Sequence, residues 1–137
     1  MVQCREGALQ QVSLVDAYAA EGWPDVNRLE AHLHLAEGYV ARFFGIKPAD
    51  IYGPTRGRSH IVEARHLVMY LARVEIGMTL EAVGRRYNRN RSTVSYACRC
   101  VEDRRDDPVY DLMVCEIEQL ITLRDDYFFG IFKGQIL

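Results

Sequence analysis

The chain has 137 residues, of which 49% are hydrophobic and 26% charged, with a formal net charge of −2. That is one domain's worth of sequence with enough apolar content for a core, which excludes a large multidomain enzyme, a disordered tail and a collagen-like or repeat protein. The near-neutral total also counts, at face value, against a nucleic-acid binder.

Helical periodicity runs through the chain and no alternating strand pattern persists. The fold class it predicts is all-α: a compact helical bundle of about six helices, containing a helix-turn-helix, with helical extensions at both ends. Residues 1–28 form an acidic N-terminal extension, in which Leu9, Val12, Val15, Tyr18 and Ala19 predict a helix over 7–21 that ends at Gly22 and Pro24. A longer helix is predicted from Asp25 to Phe44, with Val26, Leu29, Leu33, Ala36 and Val40 on one stripe and Gly45 just past its end. Pro48–Ile51 reads as one short helical turn, and Gly53–Arg58 as a loop with breakers at both ends.

Ser59 is placed to cap a helix running to about Ile76, with Ile61, Ala64, Val68, Leu71 and Ala72 inward and Gly77 as its stop. Thr79 caps a short helix through Tyr87, with Glu81 in its first turn. Asn88-Arg89-Asn90 is a tight connection, and Asn90 caps a helix from Arg91 to about Arg104. Pro108 opens a last helix containing Val109, Leu112, Val114, Ile117, Leu120 and Ile121, followed by the aromatic run 127–132. The chain thus divides into the extension 1–28, a helix-turn-helix domain over 29–104, and a C-terminal helical extension over 105–137 packed on the same domain.

Charge follows this division. Residues 1–40 hold two basic and six acidic side chains, residues 41–100 eleven and four, and residues 101–137 four and nine. The neutral total is therefore an average over a basic middle and two acidic flanks. Only Lys47 and Lys133 are lysines; the rest are arginines, whose planar fork suits phosphates and guanine edges.

Thr79–Arg104 has the layout of a helix-turn-helix, in which the second helix enters the major groove with its first turn against base edges. That turn is Asn90, Arg91, Ser92 and Thr93, residue types that read bases or hold phosphates. Val94, Ala97 and Val101 can pack inward and leave Tyr96 and Arg99 outside. A plain two-helix corner has the same spacing, but Arg56, Arg58, Arg65 and Arg73 add cations beside the motif and favour the DNA reading.

The stretch Ile61–Arg73 resembles the long helix of the DNA-binding domain at the C-terminus of the bacterial replication initiator DnaA. Val83–Arg99 resembles that family's signature motif, and Tyr39–Ile51 its opening helix and following turn, so the resemblance covers residues 29–103 in order. It implies that Arg56 and Arg58 belong to a basic loop entering the minor groove. It places Arg65, His66 and Arg73 at DNA- or phosphate-contacting positions, and Arg89, Asn90, Arg91, Ser92 and Thr93 at the base-reading start of the recognition helix, with Tyr96 outward beyond them. Where the family has an Asp-His pair this chain has Asn90-Arg91. Asparagine favours adenine and arginine guanine, which implies a changed sequence preference.

The function expected is sequence-specific binding of double-stranded DNA, regulating replication initiation or transcription, in the cytoplasm at the nucleoid. The alternative is a protein-interaction adaptor that keeps the fold, with the C-terminal extension as a surface for a homodimer or a protein partner. No cofactor is expected: the chain has no G-x-x-x-x-G-K-[ST] segment for ATP, and Cys98-x-Cys100 and His32-x-His34 lack metal-ligand spacing. No enzyme is expected, since Glu63/His66 and Asp125/Asp126 read as solvated faces. No apolar run approaches the ~20 residues of a membrane span, and no secretory signal is visible.

Overall fold

The computed structural model describes residues 25–54 and 58–121. The helix expected over 7–21, the loop arginine Arg56 and the aromatic run 127–132 lie outside them. Among the described residues the chain is all-helical, with five α-helices and no strand. Helix α1 is Asp25–Phe44, followed by a 3-10 turn at Pro48–Tyr52. Helix α2 is Ser59–Leu71 and continues as a π-helical turn over Ala72–Ile76. Helices α3 (Leu80–Tyr87) and α4 (Arg91–Arg104) follow, and α5 covers residues 108–121.

Local chemistry sets most of these ends. Thr79 Oγ1 accepts from the Ala82 N–H at 3.1 Å and starts α3. Gly77 takes φ 89° and ends the π-helical turn, a left-handed position at which a Cβ would be strained. The N-terminus of α2 differs from expectation: Arg58, with extended backbone, is the cap residue, and Ser59 is already helical. The Ile61 and Val62 N–H groups both return to the Arg58 carbonyl, at 2.9 and 3.1 Å, and no side chain caps this end. The end of α2 widens because the Gly77 and Met78 N–H groups share the Ala72 carbonyl.

One apolar cluster joins all five helices. Leu33, Ala36 and Val40 of α1, Ile51 of the 3-10 turn, and Leu67, Val68 and Leu71 of α2 belong to it. Val83 and Tyr87 of α3, Val94, Ala97 and Val101 of α4, and Val114, Ile117 and Ile121 of α5 complete it. Each such aliphatic side chain contributes about 1.5–3 kcal/mol by leaving water. Helix α2 lies centrally, against α1, the 3-10 turn and α4. The apolar residues of α5 divide between two faces: Val109 and Leu112 are exposed while the last three face the core.

A buried polar cluster fastens α5. Arg105, just past α4, donates from Nε to Asp111 at 2.5 Å, from Nη1 to the Tyr70 hydroxyl at 3.1 Å and from Nη2 to Cys115 Sγ at 3.3 Å. Glu118 Oε1 lies 3.1 Å from Arg105 Nη1, but neither Glu118 oxygen makes a well-formed hydrogen bond. Glu75, on the π-helical turn, faces the same site. Two buried carboxyls thus flank one guanidinium and a third, Glu75, neighbours Glu118; burial pushes Glu118 up to about 7, with Arg105 opposing and Glu75 adding to the rise. A proton on Glu118 lets it donate to the neighbouring Glu75 carboxyl.

The sign follows from this upward shift. Between the ordinary value of 4.5 and about 7 the folded chain holds a proton that the unfolded chain has lost, so the stability this proton gives falls as pH rises through that range. Glu118→Gln keeps an acceptor for Arg105 and a donor for Glu75. In urea unfolding it should match the parent near pH 5 and exceed it at pH 8 by about 1–3 kcal/mol. A difference that does not change with pH would count against the assignment.

Candidate nucleic-acid interface

The turn between α3 and α4 is built from Gly84 outward. Asn88 adopts φ 54°, and the Arg89 N–H closes on the Gly84 carbonyl at 2.8 Å. The turn passes so close to α3 that a Cβ on Gly84 would lie 2.4 Å from the Arg89 carbonyl oxygen. Asn90 then caps α4: its Oδ1 accepts from the Thr93 N–H, the Thr93 hydroxyl and the Ser92 hydroxyl, each at 2.8 Å. Three donors on one oxygen fix the orientation of this amide.

Two of the arginines picked out by the resemblance point into the protein. Arg65 is 3% exposed; its Nε donates to the Ile51 carbonyl at 2.7 Å and its Nη2 to that of Asp50 at 3.3 Å. Arg89 donates from Nη1 to the Tyr87 and Asn88 carbonyls, at 2.8 and 3.0 Å, and from Nη2 to the Gly53 carbonyl at 2.9 Å. Together they satisfy carbonyls at the end of the 3-10 turn and tie it to the α3–α4 turn. Burial, and then the charge of Arg89, hold Arg65 below its ordinary value.

A second tie centres on Glu37, which is 1% exposed. Its Oε2 accepts from the hydroxyls of Tyr52 and Tyr87, at 2.5 and 2.7 Å, and from Arg86 Nε at 3.1 Å. Arg86 also pairs with Glu30 at 2.7 Å. Burial and then Glu37 push Tyr52 up to about 12, and the same causes push Tyr87 up further, so both remain donors.

With these groups turned inward, Arg91, Ser92, Tyr96 and Arg99 are exposed along α4, opposite the buried Val94, Ala97 and Val101, and Glu102, Asp103 and Arg104 are exposed in its last turn. His66 of α2 meets Tyr96 edge-on, with ring centroids 6.0 Å apart. Burial, then Arg65, lowers His66, so it offers this face a neutral ring at pH 7. Arg91 pairs with Glu81 at 3.1 Å. Arg58 is exposed at the start of α2, beside a cavity of about 390 Å³ lined also by Asp50, Pro54, Ile61 and Arg65. Arg73 is exposed and donates to the Met78 carbonyl at 3.1 Å. Thr93 is half-buried behind its bond to Asn90. The reading of site residues omitted Arg99 and Arg85, both exposed on the motif; the eight-residue step from Arg91 to Arg99 was the available signal for the first.

Among the described residues no three metal-ligating side chains come together, and no helix is long and apolar enough to cross a membrane. Residues 37–101 match the bacterial DnaA protein helix-turn-helix family. That segment, just under half of the chain, is a DnaA-type helix-turn-helix. It is a helix-turn-helix module and not a catalytic one. The chain is 40% identical over 63 residues to chromosomal replication initiator protein DnaA 2 of Chlamydia pneumoniae, covering 46% of this chain and 14% of that protein. It is 37% identical over 65 residues to the DnaA 2 of Chlamydia trachomatis serovar D, covering 47% and 14%. With DnaA of Mycobacteroides abscessus it shares 26% over 87 residues, covering 64% and 18%. The chain thus spans only about a seventh of the length of the first two relatives.

Two substitutions probe the turn. Gly84→Ala should cost about 2 kcal/mol or more in thermal or urea unfolding, because the Arg89 backbone must move; an unchanged midpoint would mean the turn does not need glycine. Asn90→Ala should cost about 1 kcal/mol, and Asn90→Asp should restore it, since aspartate caps equally well.

Proposed function

We propose that the domain binds double-stranded DNA sequence-specifically, with α4 in the major groove. The observation that carries this reading is the exposed face of α4, where Arg91, Ser92, Tyr96 and Arg99 stand together with no acid between residues 82 and 101. Arginine supplies bidentate donors for guanine and charge for phosphate, and the free N–H groups at a helix start suit an anion. The match to the DnaA helix-turn-helix family, and relatives that carry the name of chromosomal replication initiators, support the same reading.

The roles divide by where each side chain is held. Arg91 is the base reader, directed to guanine. Ser92 and Thr93 spend their hydroxyl protons on Asn90 and so present acceptor lone pairs, which suit base amino groups. Asn90 has its Oδ1 occupied, and bidentate adenine reading requires that atom, so the base preference at the helix start rests on Arg91. Arg58, Arg73, Tyr96 and Arg99 set register on the backbone, and Arg56 enters the minor groove by the family resemblance. Arg65 and Arg89 act by positioning the loop and the turn; His66 supports Tyr96. At the level of the cell, the protein regulates replication initiation or transcription by occupying initiator-type sites at the nucleoid.

Selection of bound duplexes from a random pool, followed by titration of the winner, tests this. The parent should discriminate the winner from random duplex, and Arg91→Ala should lose at least tenfold of that discrimination. Arg73→Ala should weaken both duplexes alike and reduce the salt slope by roughly 0.9. No discrimination, or no duplex affinity even at low salt, would overturn the proposal and favour the adaptor.

A further inference from the structure

Two exposed arginines of α4 are ion-paired: Arg104, in its last turn, with Glu63 at 2.9 Å, and Arg91, in its first turn, with Glu81. Glu81 sits in the first turn of α3, and its Oε1 is 3.1 Å from Arg91 Nη1. Between residues 82 and 101 the sequence has no acid, so Glu81 is the carboxylate the motif sets against the start of α4, while Glu102 and Asp103 lie in its last turn. The Glu81 and Arg91 side chains are open to solvent, at 52% and 69% exposure, so the pair adds little to stability. Its consequence is orientational. The contact engages one terminal nitrogen of a planar fork and leaves the Nε–Nη2 edge outside the ion pair. Two parallel N–H groups on that edge match the O6 and N7 acceptors of guanine.

We infer that Glu81 is a specificity-determining residue: it buttresses Arg91 so that the free edge of the guanidinium meets guanine, while the adjacent carboxylate disfavours simple phosphate attachment. The inference rests on the DNA-binding reading above. A phosphate attracts a cation from any direction and gains nothing from a fixed fork, whereas guanine accepts only an aligned one. The Glu81 carboxylate also repels a phosphate brought to the helix start. Both effects widen the gap between right and wrong sequence, one by favouring the target and one by penalising its competitors.

The test is a double-mutant cycle on affinity for the selected duplex and for random duplex, using the full chain in the parent, Glu81→Gln, Arg91→Ala and combined forms. Glu81→Gln should bind the selected duplex roughly three- to tenfold more weakly, without weakening on random duplex, so the specificity ratio falls. In the Arg91→Ala background the same change should lower that ratio by clearly less than in the parent. Thermal unfolding of each variant checks that the fold is kept, and Glu81→Asp, a shorter carboxylate, should recover part of the ratio. Equal tightening on both duplexes would show that Glu81 is only a repulsive charge and would overturn the inference. A full effect of Glu81→Gln without Arg91 would overturn it as well. Failure of the DNA-binding reading looks different: the parent itself would not discriminate. If the parent discriminates through Arg91 and Glu81→Gln leaves the ratio unchanged, only the inference on Glu81 falls.

Discussion

One buried carboxylate holds the helix-turn-helix to the rest of the molecule. Glu37 of α1 accepts from Tyr52 on the 3-10 turn and from Tyr87 and Arg86 on α3, so three elements up to 50 residues apart meet on one carboxylate oxygen. A carboxylate taken out of water at 1% exposure is tolerable only when donors surround it. Because the donors come from different elements, the penalty for losing any one of them is a penalty on their relative placement. The angle at which α3 leaves the body of the domain, and hence the direction of α4, follows from that arrangement.

The second constraint is carried by Arg65 and Arg89. Their guanidiniums satisfy the Asp50, Ile51 and Gly53 carbonyls at the end of the 3-10 turn, while Arg89 also closes over the Tyr87 and Asn88 carbonyls. Arginine is suited to this because one fork reaches several acceptors without a change of rotamer. Helix α2, through Arg65, and the turn that starts α4, through Arg89, are thereby both tied to the end of the 3-10 turn. A surface that reads a groove needs this rigidity, since direct readout depends on side chains arriving in register. In the proposed complex the exposed arginines perform the contact and the buried ones set its geometry.

Much of the fold was legible in the sequence where the determinants are local. The bounds of α1, α3 and α4, the caps at Thr79 and Asn90 and the stop at Gly77 each depend on residues a few positions apart. The inward stripe of Val94, Ala97 and Val101 followed from helical period alone. The DnaA resemblance was legible for the same reason, as contiguous motif. What was not legible is long-range or depends on backbone. Arg65 and Arg89 look identical in sequence to phosphate-binding arginines, and only the folded chain brings carbonyls of residues 50–53 to them. The Glu37 tie joins partners 15 to 50 residues away. The cap at Arg58 and the widened turn at Ala72–Ile76 arise from backbone bonds that no side-chain pattern announces.

The central claim is that the outer face of α4, together with Arg58 at the start of α2, is where duplex DNA sits. Amide chemical-shift mapping during titration with the selected duplex tests it most directly. The account predicts that the largest perturbations fall on residues 90–99, with a second set near Arg58 and little change in α5 around Val109 and Leu112. Perturbations centred on α5, or spread over α1 with α4 silent, would contradict it.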